Sequence, residues 1–126
     1  MEIQPDFPGA YYTLGNAFLA KGDFTQAISS YQTYLRVEPN NAVAHDNLAI
    51  SLLATGKINE AIDQFGEALR SDPNCAEAHY NLGHLLVQLG HREEAMPHLF
   101  EAVRLKPDYA QAKEQLRQLG ARVPQF

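Results

Sequence analysis

The stretch AVAHDNLAISLLATG, beginning at Ala42, returns almost unchanged as AEAHYNLGHLLVQLG at Ala76, 34 residues on. Other residue types keep the same step. Gly22, Gly56 and Gly90 share it, as do Pro39, Pro73 and Pro107, Ala27, Ala61 and Ala95, and Leu14, Leu48 and Leu82. Asp6, Asn40, Asn74 and Asp108 carry it to four copies. A fixed period of this length marks a chain of small supersecondary units that bury their apolar faces only by stacking.

Each recurring type has a role within the unit. The Asp/Asn series follows proline, where a short polar side chain accepts orphan backbone N–H groups at a helix start. Asn74 with Glu77, and Asp108 with Gln111, have capping-box spacing, and Asp23 with Gln26 marks the start of a second helix. The glycines fall one helix length later, where a left-handed turn closes a helix. The prolines end the second helix of each unit. Between these signals apolar residues run at helical spacing: Tyr11, Leu14 and Phe18, then Leu48 with Leu52, then Leu82 with Leu86. The second helices carry the small-then-large pairs Ala27/Tyr31, Ala61/Phe65 and Ala95/Leu99, and Gly15, Ala49 and Gly83 leave room for a close partner.

The pattern resembles the tetratricopeptide repeat, whose unit runs aromatic-x-x-Leu-Gly-x-x-Tyr, Ala-x-x-x-Phe, then Pro. Here Tyr11, Leu14, Gly15, Phe18, Ala27, Tyr31 and Pro39 match it in the first repeat. His79, Leu82, Gly83, Leu86, Ala95, Leu99 and Pro107 occupy the same positions in the third. His45 and His79 replace the aromatic, Tyr34 replaces a small residue kept at Ala68 and Ala102, and Pro97 interrupts a helix that it should bend. The resemblance implies an all-α fold: a right-handed α-solenoid of three helix-turn-helix hairpins with a C-terminal capping helix. Residues 8–41, 42–75 and 76–109 form the repeats, 110–120 the capping helix and 121–126 a tail. Residues 1–7 read as the end of a preceding repeat or as an N-terminal extension. Ala112, Leu116 and Leu119 give the capping helix its narrow apolar stripe.

In this family the first helices line a concave groove that binds extended peptides, so the resemblance also nominates a binding face. Offset from the core stripe lie Tyr12, Asn16 and Leu19; then Asp46, Asn47, Ile50 and Leu53; then Tyr80, Asn81, His84 and Val87. An asparagine amide carries both donor and acceptor and can pair with a peptide backbone whatever side chains follow. Asn47 and Asn81, one period apart, resemble the asparagine ladder of O-GlcNAc transferase-type arrays; Thr13 stands at that step in the first repeat. The family's carboxylate clamp for chaperone tails has its two Asn positions filled by Asn16 and Asn47. Its Lys positions hold Tyr12 and Glu77 and its Arg position Asn81, which leaves a terminal carboxylate without opposite charge. With Asp46, Glu77 and Glu114 nearby, the expected partner is a neutral or basic protein segment.

Composition narrows the alternatives. With 45% apolar and 20% charged residues and a net charge of -5, the chain reads as globular, with neither nucleic acid nor an anionic membrane as main partner. No apolar run reaches the ~20 residues that a membrane span needs. MEIQPDFPGA lacks the basic and apolar regions of a signal peptide, so the expected compartment is reducing, aqueous and cytoplasmic. Cys75 is alone, which excludes an intrachain disulfide, and it reads as a packing residue. Five histidines show no paired i, i+4 spacing with a third ligand and read as structural. No nucleophile, base and orienting group share a visible motif, so no catalysis, metal or cofactor is expected. Two other readings stay open: self-association through an uncapped first repeat, and service as the recruiting arm of a larger enzyme such as a glycosyltransferase.

Overall fold

The computed structural model describes residues 7–123. Asp6, expected as a cap, and nearly all of the 1–7 segment lie outside the described residues. Seven helices and no strand occur among those described: α1 (Pro8–Lys21), α2 (Phe24–Val37), α3 (Ala42–Ala54), α4 (Ile58–Ser71), α5 (Ala76–Gln88), α6 (Arg92–Leu105) and α7 (Ala110–Gln118). They form two compact units, Met1–Pro73 and Asn74–Phe126. In the first, α1 packs on α2, α2 on α3 and α3 on α4; in the second, α5 packs on α6 and α6 on α7.

The small-then-large pairs make the core. Ala27, Tyr31, Ala61 and Phe65 of the first unit, and Ala95 and Leu99 of the second, have no exposed surface. A fully buried Phe or Leu contributes about 1.5–3 kcal/mol, and a small residue one turn before it lets the facing helix come near. Gly15 shows how near: a Cβ there would stand 2.7 Å from Cε1 of Tyr31, and one on Gly83 would stand 2.9 Å from Cγ of Leu99. In the second unit Ala112 and Leu116 of α7 join Leu99, Ala102, Val103 and Tyr109 in one cluster, so α7 covers the open side of α6.

The turns repeat in detail. Gly22, Gly56, Gly90 and Gly120 all take a left-handed backbone, with φ between 77° and 83°. Each glycine N–H reaches the carbonyl three residues back, and the following N–H reaches five back, as in Gly22 to Leu19 and Asp23 to Phe18. Orphan carbonyls at the helix ends are thereby satisfied.

Helix starts depart from expectation by one residue. Asn40, Asn74 and Asp108 precede the N-cap positions, which are Asn41, Cys75 and Tyr109. The turn after each proline consumes the polar residue, and the helix opens two positions later. Among the described N-cap residues, Asn41 is the one whose side chain bonds its own first turn: Asn41 Oδ1 accepts from the Ala44 N–H at 3.1 Å. Asp23 does occupy the N-cap of α2, without a side-chain hydrogen bond to the first turn. Glu93 and Glu94 lie in the first turn of α6, where negative charge suits the helix dipole, and α6 runs through Pro97 as one helix.

Candidate functional site

In the first unit, α1 and α3 are the first helices of successive hairpins, and α2 lies between them in sequence. Tyr12, Asn16, Leu19, Asn47, Ile50 and Leu53 are all half-buried, so each keeps a part exposed. Asp46 differs: at 5% exposure its carboxylate is not offered to a ligand, contrary to its expected place on the face.

Asn16 and Asn47 meet. Asn47 Nδ2 donates to Asn16 Oδ1 at 3.2 Å. The same oxygen accepts the hydroxyl of Tyr31, from the core of α2, at 2.5 Å. Burial pushes the Tyr31 phenol up to about 12, a hydrogen bond from Asn47 opposes this, and neighbouring Tyr12 adds slightly. The phenol therefore stays protonated at ordinary pH and always has a proton to give. Tyr12 packs against Tyr31 and Tyr34, with ring centroids 6.3 and 5.1 Å apart. The hydroxyl of Tyr34, the residue that departs from the family pattern, accepts from Asn41 Nδ2 at 2.9 Å. A tyrosine cluster thus fixes the wall on which the two amides sit.

In the second unit, Tyr80, Asn81, His84 and Val87 of α5 are half-buried. Tyr80 stacks on His84 at 5.8 Å and tilts against Tyr109 at 5.1 Å. His84 Nδ1 lies 2.5 Å from Gln115 Oε1 on α7. A cavity of ≈ 450 Å³ opens beside them, lined by Tyr80, His84, Gln111, Glu114, Gln115 and Gln118 among others. Two carboxylates near this face have cationic neighbours: Glu77 lies 3.7 Å from Lys106 Nζ and Glu114 lies 3.4 Å from Arg117.

Sequence reasoning missed the side-chain pairs. The Nδ1 atoms of His79 and His98 are 3.1 Å apart across the α5–α6 hairpin, a pairing absent from the sequence reading. His45 is gripped between Gln64 Oε1 and the Pro39 carbonyl, both at 2.7 Å, as a structural histidine should be. The signal was present in the spacing. Residues 19 apart face each other within a hairpin, as in His45–Gln64 and His79–His98. Residues 31 apart, one turn short of a period, face each other between successive first helices, as in Asn16–Asn47 and His84–Gln115. Among the described residues no group of three or more His, Cys, Asp or Glu could hold a metal ion. Cys75 is a buried thiol outside any disulfide.

Family models for the tetratricopeptide repeat match residues 52–119, more than half of the chain, and residues 8–41. The chain belongs to the tetratricopeptide repeat family. No curated protein matches the chain in a sequence comparison. Among solved structures, this repeat protein is similar to the first tetratricopeptide domain of Spaghetti (RPAP3) bound to the HSP90 peptide SRMEEVD. Identity there is 21%, the TM-score 0.85, and the match covers 94% of this chain and 96% of that one. It is similar also to the second such domain of human RPAP3 in complex with the HSP70 peptide SGPTIEEVD: 24% identity, TM-score 0.83, covering 94% and 100%. MamA is a third, with 21% identity, TM-score 0.83, and coverage of 93% and 71%. At these identities the likeness is one of fold. Among the described residues of this tetratricopeptide chain, no helix is long and apolar enough to cross a membrane.

Proposed function

We propose that the chain is a non-catalytic peptide-binding module that holds an extended segment of a partner protein against its first helices. The observation that carries this reading is the Asn16–Asn47 pair. Two amides, half-buried and anchored by a core tyrosine, share α1 and α3 with half-buried Tyr12, Leu19, Ile50 and Leu53. Amides of this kind bind a backbone without regard to its side chains, and each hydrogen bond contributes about 0.5–1.5 kcal/mol net. Asn81, with Tyr80, His84 and Val87, gives the second unit a face of similar composition.

The partner segment is neutral or basic. The two RPAP3 domains similar in fold are bound to peptides ending in acidic residues. This chain carries Tyr12, Glu77 and Asn81 where the family's clamp for such tails has cations, and no Lys or Arg stands among the residues assigned to either face. Heptapeptides selected from a random library against the folded chain provide the test. Asn47→Ala together with Asn81→Ala should weaken their binding about tenfold or more while far-ultraviolet circular dichroism keeps its helical signal. Unchanged affinity would remove the reading.

A second reading, self-association, is favoured by one observation. The outer side of the first hairpin keeps a cavity of ≈ 400 Å³ lined by Tyr11, Leu14, Phe18, Asp23, Gln26, Ser29, Ser30 and Thr33. The aromatic stripe of α1 is only half covered there, and a second copy of the chain is the occupant this reading requires. Light scattering at rising concentration decides it: a mass fixed at the monomer value ends the proposal.

A further inference from the structure

The two asparagines do not present their amides independently. With Asn47 Nδ2 and the Tyr31 hydroxyl both donating to Asn16 Oδ1, that oxygen is occupied from two sides. Asn47 Oδ1 and Asn16 Nδ2 remain. Both residues are half-buried and keep a part exposed, and these two amide atoms are the ones that the triad leaves uncommitted. Turning both amides over gives the one alternative that satisfies the triad: Asn16 then donates to Asn47 and to the phenol oxygen, and the phenol donates to Asn47. The exposed atoms exchange roles, but their sum does not change. In either arrangement the pair shows one NH₂ group and one carbonyl oxygen.

We propose that Tyr31 is a positioning residue that makes Asn16 and Asn47 read an internal peptide unit and refuse a terminal carboxylate. This rests on the peptide-binding reading above. A residue in an extended chain directs its own N–H and C=O to the same side, one donor and one acceptor. The amide pair complements both. A carboxylate has acceptors alone and is best held by two donors, so one of its oxygens would meet the exposed amide oxygen. Two unconstrained asparagines could both turn their NH₂ groups outward and bind a carboxylate; bonded to each other and to Tyr31, they cannot. Placing the tyrosine there requires Gly15, whose missing Cβ leaves the ring its space. At the equivalent positions Phe65 and Leu99 have no hydroxyl, so this device belongs to the first unit.

The test uses one random heptapeptide library in two formats, flanked by chain on both sides or ending in a free carboxylate. Binders are expected from the flanked format, and amidated synthetic copies should bind at least about tenfold tighter than free acids whose terminus replaces the contacted unit. Tyr31→Phe keeps the ring and removes the hydroxyl. It should lower affinity for the flanked peptides about three- to tenfold, the effect of one net hydrogen bond, and narrow the gap between amide and acid. Enrichment of free-carboxylate peptides would overturn this inference while leaving the peptide-binding reading in place. So would a Tyr31→Phe variant with unchanged affinity and unchanged amide preference. No binder in either format would overturn both.

Discussion

Gly15 and Tyr31 show how much one missing methyl decides. The tyrosine is fully buried, yet its hydroxyl reaches the amide pair because nothing projects from Gly15. Gly15→Ala brings a Cβ within 2.7 Å of the ring and should destabilise the first unit by about 1–3 kcal/mol, read from the urea midpoint. Gly9→Ala, where nothing lies within 4 Å, serves as the control and should not lower that midpoint. The sequence showed that Gly15 must admit a close neighbour, since it recurs as Ala49 and Gly83 opposite a large residue. It did not show the hydroxyl bond, because Tyr31 read as one of three equivalent core residues and its oxygen has no counterpart at Phe65 or Leu99. Asp46 was misplaced for a related reason. Helical spacing alone put it beside Asn47, whereas packing turned it inward to 5% exposure.

At the scale of helices, the starts and the histidine pair carry the predictions. Asn41→Ala should cost about 1 kcal/mol of stability, because it removes both the cap on Ala44 and the bond to Tyr34. Asn40→Ala, one residue earlier and exposed, should change the melting temperature little. The repeat period located every helix, but the offset between proline and cap is set by turn geometry, which the letters did not disclose.

His98 lies half-buried on α6 against His79 of α5, with Glu94 and Glu101 also near the pair. Burial holds its pKa below the ordinary 6.5, the His79 charge adds to this, and Glu94 opposes it. A base whose folded pKa is lowered favours the folded state while it stays neutral. Its contribution is therefore complete above the unfolded value of about 6.5 and declines as pH falls from there toward the folded pKa. Resistance of the second unit to urea should fall as pH is lowered from 7.5 to 5.5, and His98→Gln should flatten that slope. A wild-type profile that is level over this range would refute the pairing.

At the scale of the whole molecule, the period of 34 made the architecture legible before any coordinates. Hairpins of this size cannot bury their own faces, so the chain had to stack, and α7 covers α6 as its narrow apolar stripe implied. Which faces bind was legible only as helical offset. The chemistry of those faces depends on pairs 31 residues apart, a relation that appears once helices are placed. Charge belongs to this scale too. A net charge of -5 and faces without assigned cations should keep a peptide such as SRMEEVD from binding with a Kd below about 1 mM, measured by fluorescence anisotropy at moderate salt.

The side-chain amide region of a ¹⁵N–¹H spectrum examines peptide capture most directly. Titration with a selected flanked heptapeptide should shift the NH₂ resonances of Asn16 and Asn47, together with backbone signals of α1 and α3. Saturating peptide that leaves those two side chains unmoved, and perturbs only α2 or α4, would contradict capture by the first helices.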